Sequence, residues 1–344
     1  MGLAATASET ITAKRAPEFL CAVDRLRALT TSDLAAVNEE ILRHLDSPVA
    51  MIPELAGHLI NAGGKRLRPM LTLASAGLFD YSGDDHIKLA AAVELIHGAT
   101  LLHDDVVDGS ALRRGASTAN IIWGNKESVL VGDFIFSRAF ELMVEAKNLA
   151  VLKSLSHASG VIAQGEVLQL TTQKNIAATF ETYLHVVEAK TAALFAAATE
   201  VGALIANRSP AEETAMRDFG NYFGVAYQLI DDALDYTGFE FTLGKSVGDD
   251  FREGKMTAPV VFAIARARED EKPFWRRVIS EGRQEKDDFE RACSLMERDD
   301  AIADTIDCAH GYTQKALQAL SLAPQNDYAE ALADLVMTST ARGA

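Results

Sequence analysis

Six aspartates carry the chemistry that is easiest to read from the chain. Asp104, Asp105 and Asp108 sit in LLHDDVVD, and Asp231, Asp232 and Asp235 repeat the spacing in QLIDDALD. In a helix, positions 104 and 108 lie on one face about one turn apart, with Asp105 beside them. Carboxylates so placed repel each other and disfavour the helix unless something positive sits between them. A hard divalent ion does this, and Mg²⁺ commonly takes one or two carboxylates together with waters and substrate phosphates. One run alone could be a solvated helix end. Both runs, however, follow apolar stretches, Leu95-Ile96 to Leu101-Leu102 and Val225 to Ile230. They therefore end helices that are otherwise buried, where charge without a partner is costly. A metal cluster shared between facing helices accounts for both. Zinc does not fit, because His97 and His103 are six residues apart, off a common ligand face, and no HExxH occurs.

Cations come in complementary places. GGKRLRP (63–69) joins Gly63 and Gly64 to Lys65, Arg66, Arg68 and the helix-starting Pro69. Glycines let backbone approach a ligand and helix N-termini attract anions, whereas cations at a plain surface helix start oppose its dipole. The run reads as a phosphate seat. Arg113-Arg114-Gly115 follows the first aspartate run closely enough to reach a phosphate bound there, with a surface turn as the plain alternative. Lys190 interrupts an apolar helix containing Leu184, Val187, Leu194 and Phe195; Lys245 and Lys255 each follow a glycine after the second run; Gln228 lies one turn before Asp231. Taken singly, these four have ordinary readings as snorkelling or loop lysines and a core hydrogen-bonding residue.

Helices are needed to hold these groups. Apolar residues recur at helical spacing from Leu34, Val37, Ile41 and Leu45 onward, with almost no period of two. Segments 87–108, 127–145, 150–170, 180–206, 212–236 and 257–268 read as helices, several apolar on more than one face, so they must surround one another. Breaks fall at Gly63-Gly64, Gly83, Gly115, Ser209-Pro210, Gly238, Gly244 and Gly254. Residues 1–30, rich in Ala, Thr and Ser, read as a flexible, frayed extension. Residues 31–344 read as a single all-α domain, in which the charge-dense stretch 270–300 forms solvated turns and loops. One or two amphipathic helices around 301–338 cover the bundle.

Charge narrows the function classes. With 33 Lys+Arg against 49 Asp+Glu, the 344-residue chain carries a net charge of −16, which excludes a protein whose main partner is nucleic acid. Small anions held by a local basic patch or a divalent metal remain open. Cys21, Cys293 and Cys308 are odd in number and lack metal-ligand spacing, so neither a disulfide framework nor a zinc site is expected, and a reducing cytoplasm fits. The longest apolar stretch, Ala192 to Ala206, is broken by Thr199 and Glu200 and is too short to span a bilayer. The N-terminus lacks the basic segment and apolar run of a secretory signal.

Taken together, GGKRLRP (63–69), ELIHGATLLHDDVVDGSALRRG (94–115), KT (190–191), QLIDDALDY (228–236) and GKSVGDDFREGKMTAP (244–259) resemble the trans-prenyl diphosphate synthases, over roughly residues 35 to 265. The resemblance implies an all-α fold of antiparallel helices around a deep central cavity, a homodimer, and head-to-tail condensation of isopentenyl diphosphate with an allylic diphosphate. It implies Mg²⁺, three ions with substrate bound, on Asp104, Asp108 and Asp231, with Asp105, Asp232 and Asp235 completing the acidic clusters. By the same resemblance Arg113, Lys190, Thr191, Gln228, Lys245 and Lys255 contact the allylic diphosphate, and Lys65, Arg68, His97 and Arg114 hold isopentenyl diphosphate.

The resemblance implies that the first run sits at the cavity mouth and the growing tail points down the helix below it, so that residues there would set product length. Counting back from Asp104, Thr100 and Ala99 lie about 6–7.5 Å lower along the helix. Both are small, and a Phe or Tyr there would floor the pocket, so a long product is expected. ATLLHDDVVD and SVLVGDFIFSRAF are most similar to octaprenyl to decaprenyl synthases that supply quinone side chains, with a farnesyl or geranylgeranyl primer. Phe136, Phe140 and Met143 recur at helical spacing and offer a deeper floor, although such stripes are also ordinary core. Gly109 departs from the pattern, since long-chain relatives commonly carry Glu there. Three other functions compete. A shorter-chain synthase would need a higher floor, a non-catalytic modulatory subunit would have lost one acidic run or the basic seat, and a terpene cyclase would lack the second DDxxD and GGKRLRP. Release of so apolar a product implies a transient membrane contact.

Overall fold

A computed structural model describes residues 5–61, 63–113, 115–237 and 247–342, with backbone alone for residues 5–16 and Asn61. The described chain is helical apart from one two-residue hairpin. Its N-terminal helices are α1 (Ala5–Leu29), α2 (Thr31–Leu45), α3 (Met51–Asn61), α4 (Leu67–Leu78) and α5 (Asp85–Val107). β1 (Leu112–Arg113) pairs antiparallel with β2 (Ala116–Ser117), and the short α6 (Ala119–Ile122) leads into α7 (Asn125–Glu145) and α8 (Leu149–Thr172). α9 (Phe180–Val187) continues through a π-helical turn, Glu188–Ala192, into α10 (Ala193–Ile205) and then α11 (Pro210–Leu234). α12 (Asp249–Glu253), α13 (Ala258–Arg266), α14 (Lys272–Trp275), α15 (Asp288–Arg298), α16 (Ala301–Leu320) and α17 (Asp327–Ala341) complete the chain.

The centre of the bundle is α10, whose residues Leu194 to Ile205 are buried save Glu200. A helix apolar on every side has to be enclosed, and α4, α8 and α11 enclose it. Close packing depends on missing side chains: a Cβ at Gly202 would collide with the Ser75 backbone of α4, and one at Gly224 would stand 2.6 Å from the Ala192 Cα. Thr199, buried in α10, donates its hydroxyl to the Met216 carbonyl of α11 at 2.6 Å. Ser209 and Glu212 form a capping box with Pro210 at the first helical position, so α11 starts where the Ser-Pro break was expected. Further out, α5 packs on α7, and α16 covers α11.

Three expectations are corrected. Residues 17–29 are not a frayed extension. They belong to α1, which buries Phe19, Ala22, Val23 and Leu26 and packs on α17, with Arg25 bonded to Glu330 at 2.7 Å. The covering surface comes from some 300 residues away, so local periodicity carried no trace of it. Residues 270–300 are not solvated turns alone. Phe274, Trp275, Val278, Ile279, Ala292 and Met296 are buried with Tyr236 and Phe251 in a separate apolar cluster. Counting charges missed four adjacent large side chains that face inward. The segment 180–206 is also not one α-helix, since the π turn inserts a residue at 188–192.

Candidate active site

Both aspartate runs open into one cavity of about 430 Å³ between α5, α8, α9 and α11. Asp104 and Asp108 face it from the end of α5, and Asp231, Asp232 and Asp235 from the end of α11. Arg68, His97, Arg113, Lys190, Thr191, Gln228 and Lys255 also line it. Of the other expected site residues, Arg114 and Lys245 lie outside the described residues.

Hydrogen bonds sort the six aspartates into two kinds. Asp105 is buried and held by Arg113, whose Nη2 and Nε donate to its carboxylate at 2.8 and 3.0 Å. It does not line the cavity, and its carboxylate forms an ion pair with Arg113. That pair ties the arginine of the β1–β2 hairpin to α5. Asp232 accepts from the Tyr183 hydroxyl at 2.7 Å and Gln228 Nε2 at 2.8 Å. Gln228 in turn accepts from Thr191 at 3.0 Å, linking the KT pair to the second run. Asp235 accepts backbone N–H groups of Gly248 and Asp250 at 3.2 and 3.1 Å, anchoring the start of α12.

Cations stand near the remaining three: Lys190 3.7 Å from Asp104, Lys255 4.0 Å from Asp108 and Arg342 3.3 Å from Asp231. Each cation is anchored elsewhere. Lys190 donates to Glu166 at 2.9 Å and Gln169 at 2.8 Å, and Lys255 reaches Glu253 at 2.5 Å. Burial pushes the Asp104 carboxyl up to about 7, against the pull of Lys190 and with the push of Glu166 and Asp108. Burial, then Asp250, lifts Asp232 to about 7 and Asp235 to about 6. Carboxylates raised in this way around one cavity fit a hard divalent cation. Asp104, Asp108 and Asp231 all line that cavity.

The basic seat has a second layer. Arg68 lies over the Phe195 ring at 4.5 Å and meets His97 Nε2 at 3.1 Å, while Lys65 stands 4.8 Å over Phe19. Lys65 itself is not in the cavity wall. Arg66, in left-handed backbone at φ 53, turns away to pair with Glu94. Glu166, Gln169, Tyr183, Tyr227, Asp250 and Arg342 also belong to the site or its support, and sequence reasoning assigned them nothing. GDDFREGK flagged the vicinity of Asp250. Arg342 gave no signal, because only the tertiary fold brings the chain's end to α11.

The chain-length residues divide. Thr100 and Leu101 line the cavity, but Ala99 is fully buried in the core, as is Met143. The 100° step between neighbours turns Ala99 into the core while Thr100 and Leu101 face the cavity, which corrects the placing of Ala99 beside Thr100. Phe136 and Phe140 meet in a tilted pair at 5.4 Å and pack against the core, Met143 is buried within it, and none of the three lines the cavity. Gly109 caps α5 at φ 63, left-handed backbone that glycine adopts without strain. A glutamate is disfavoured there, which explains the departure noted above.

Residues 49–296 match the family model described as polyprenyl synthetase. The chain is 41% identical to the octaprenyl diphosphate synthase of Escherichia coli over 320 residues, 93% of this chain and 99% of that protein. Among solved structures, a polyprenyl synthase from Caulobacter crescentus CB15, complexed with calcium and isoprenyl diphosphate, superposes with a TM-score of 0.90 at 52% identity, covering 94% of this chain and 98% of that one. A decaprenyl diphosphate synthase from Rhodobacter capsulatus superposes with a TM-score of 0.89 at 50% identity, covering 92% and 98%. With two aspartate runs and a basic seat around one cavity, and likeness along nearly the whole length, this chain belongs to the polyprenyl synthetase family.

Proposed function

We propose that the protein is a long-chain trans-polyprenyl diphosphate synthase that adds isopentenyl diphosphate head-to-tail to an allylic diphosphate, giving octaprenyl to decaprenyl products for quinone side chains. The observation that carries this reading is the opening of both aspartate runs into one cavity. Lys190, Thr191, Gln228, Arg113, Lys245 and Lys255 bind the allylic diphosphate, and Lys65, Arg68, His97 and Arg114 hold isopentenyl diphosphate. When bound, Mg²⁺ on Asp104, Asp108 and Asp231 supplies Lewis-acid stabilisation of charge on the departing diphosphate. Lys190 and Lys255 add fixed positive charge where that negative charge develops, lowering the barrier electrostatically.

The allylic carbon–oxygen bond breaks with its electron pair going to the diphosphate. The isopentenyl double bond then attacks the allylic cation, and a proton is lost from the new chain. The released diphosphate, left beside the new chain, takes that proton. Leu101, Ile162, Val186 and Val187 wall the cavity and keep water from quenching the cation to an alcohol. Thr100 leaves the way below Asp104 open for a growing tail.

Two copies pair along α6 and α7, where Ile121, Ile122, Val129, Leu130 and Val144 are exposed apolar side chains. Among the described residues no helix is long and apolar enough to cross a membrane, and the product is delivered by transient membrane contact. Purified protein incubated with Mg²⁺, farnesyl diphosphate and labelled isopentenyl diphosphate should yield dephosphorylated products of eight to ten isoprene units (roughly the range of the family's long-chain members). Conversion of farnesyl diphosphate alone would point to cyclisation, and silence until another subunit is added would point to a modulator.

A further inference from the structure

Arg342 is fully buried at the end of the described chain, and its guanidinium stands beside Asp231, which lines the cavity. It lies over Phe19 of α1 at 4.5 Å and over Tyr227 of α11 at 4.6 Å. Nε donates to the Ser339 carbonyl at 2.9 Å and Nη2 reaches Asp231 Oδ1 at 3.3 Å, while Nη1 is buried without a hydrogen-bond partner. The contrast with Arg113 is informative. That arginine grips Asp105 through two nitrogens, closest at 2.8 Å, the length of a strong charge-assisted bond. Arg342 is held mainly by two ring faces and touches its carboxylate through one long contact. A guanidinium stacked in this way keeps its place when the carboxylate moves.

We propose that Arg342 is a positioning residue that serves Asp231 as a counter-ion in the metal-free protein and yields that carboxylate to a divalent cation. The proposal rests on the reading of Asp231 as a metal ligand. Asp231 is partly withdrawn from solvent, its side chain 27% exposed, and the arginine supplies a fixed charge beside it until the cation arrives. Because it remains pinned between Phe19 and Tyr227, it also opposes the incoming cation, so its presence sets the affinity of the site. Both ends of the chain thereby act on the second aspartate run, Phe19 from one and Arg342 from the other.

The test is a calorimetric titration of the full chain with Mn²⁺ alone, without diphosphate. Arg342→Met should bind Mn²⁺ about tenfold more tightly than the unaltered protein, within the coupling expected of residues in one ion-pair network. Arg342→Lys keeps the charge and should stay within about twofold. Phe19→Leu loosens the stack and should tighten binding by a smaller factor. Unchanged or weaker binding in a folded Arg342→Met protein overturns the proposal. Should that variant fail to fold, Phe19→Leu decides, and unchanged Mn²⁺ affinity there overturns it equally. Asp231→Asn separates the two layers. Loss of Mn²⁺ binding in this variant with no change in Arg342→Met defeats the counter-ion role alone, whereas unaltered binding in Asp231→Asn defeats the ligand reading beneath it.

Discussion

Asp104 and Asp105 are neighbours in sequence and opposites in environment, and substitution should separate them. Asp104→Asn is expected to lower kcat about 10³-fold, the scale of losing a major electrostatic stabiliser, with no loss of melting temperature in metal-free protein. Asp105→Asn strips Arg113 of its partner and should cost about 2 kcal/mol of stability, seen as a lower melting temperature. Equal melting temperatures for the two variants would contradict this division. The raised carboxyls add a pH signature. Asp104 and Asp232 sit at about 7 in the folded protein, above the value of about 3.9 of an unfolded aspartate. The folded state therefore holds more protons between those limits, and metal-free stability falls as pH rises through about 4 to 7. The melting temperature of Asp104→Asn should fall less over that window than that of the unaltered protein. Adding Mg²⁺ should raise the melting temperature of the unaltered protein more at pH 8 than at pH 5.

At the scale of elements, the π turn at 188–192 decides where Lys190 and Thr191 point, and α8 fixes the turn. A Cβ on Gly165 would stand 2.7 Å from Ala189 Cβ and 3.0 Å from the Lys190 nitrogen. Gly165→Ala should cost about 1–3 kcal/mol, as overpacking does, and raise KM for the allylic substrate while leaving isopentenyl diphosphate binding near its original level. Steady-state kinetics with each substrate varied in turn would check this, and equal changes in both would refute it. On α5, Thr100 faces the cavity and Ala99 the core. Thr100→Phe should shorten the products, read by sizing labelled chains. At Ala99 the same ring meets packed core first, so its primary effect is on stability.

For the whole molecule, the meeting of the two chain ends matters most. Phe19 is buried beneath Arg342 and Lys65, so α1 supports both the second aspartate run and the basic seat. Phe19→Ala should destabilise the protein by about 3–5 kcal/mol, the usual cost of emptying a buried phenylalanine site, measurable by denaturant unfolding. A smaller loss, below about 1 kcal/mol, would mean that α1 is dispensable packing. Arg25 with Glu330 on the same interface is largely exposed and should contribute less than about 1 kcal/mol.

Helical periodicity, the doubled DDxxD spacing and GGKRLRP were legible without a structure, because each depends on neighbours within a few turns. Asp104 could be marked from its local run, whereas Lys190 and Gln228 gained a role only through the resemblance of the whole set of motifs. Which aspartates face open space was not legible, since Asp105 is claimed by an arginine eight residues away and Asp232 by a tyrosine 49 residues away. Nor could the sequence reveal α1 as core, the inward cluster at Phe274 and Trp275, or Arg342 beside Asp231. Local pattern reflects the chain's repeat geometry, and it determined the helices and the chemistry they carry. Partnership across 111 residues of separation, as between Asp231 and Arg342, exists only once distant surfaces have packed, and that was decided by the tertiary structure.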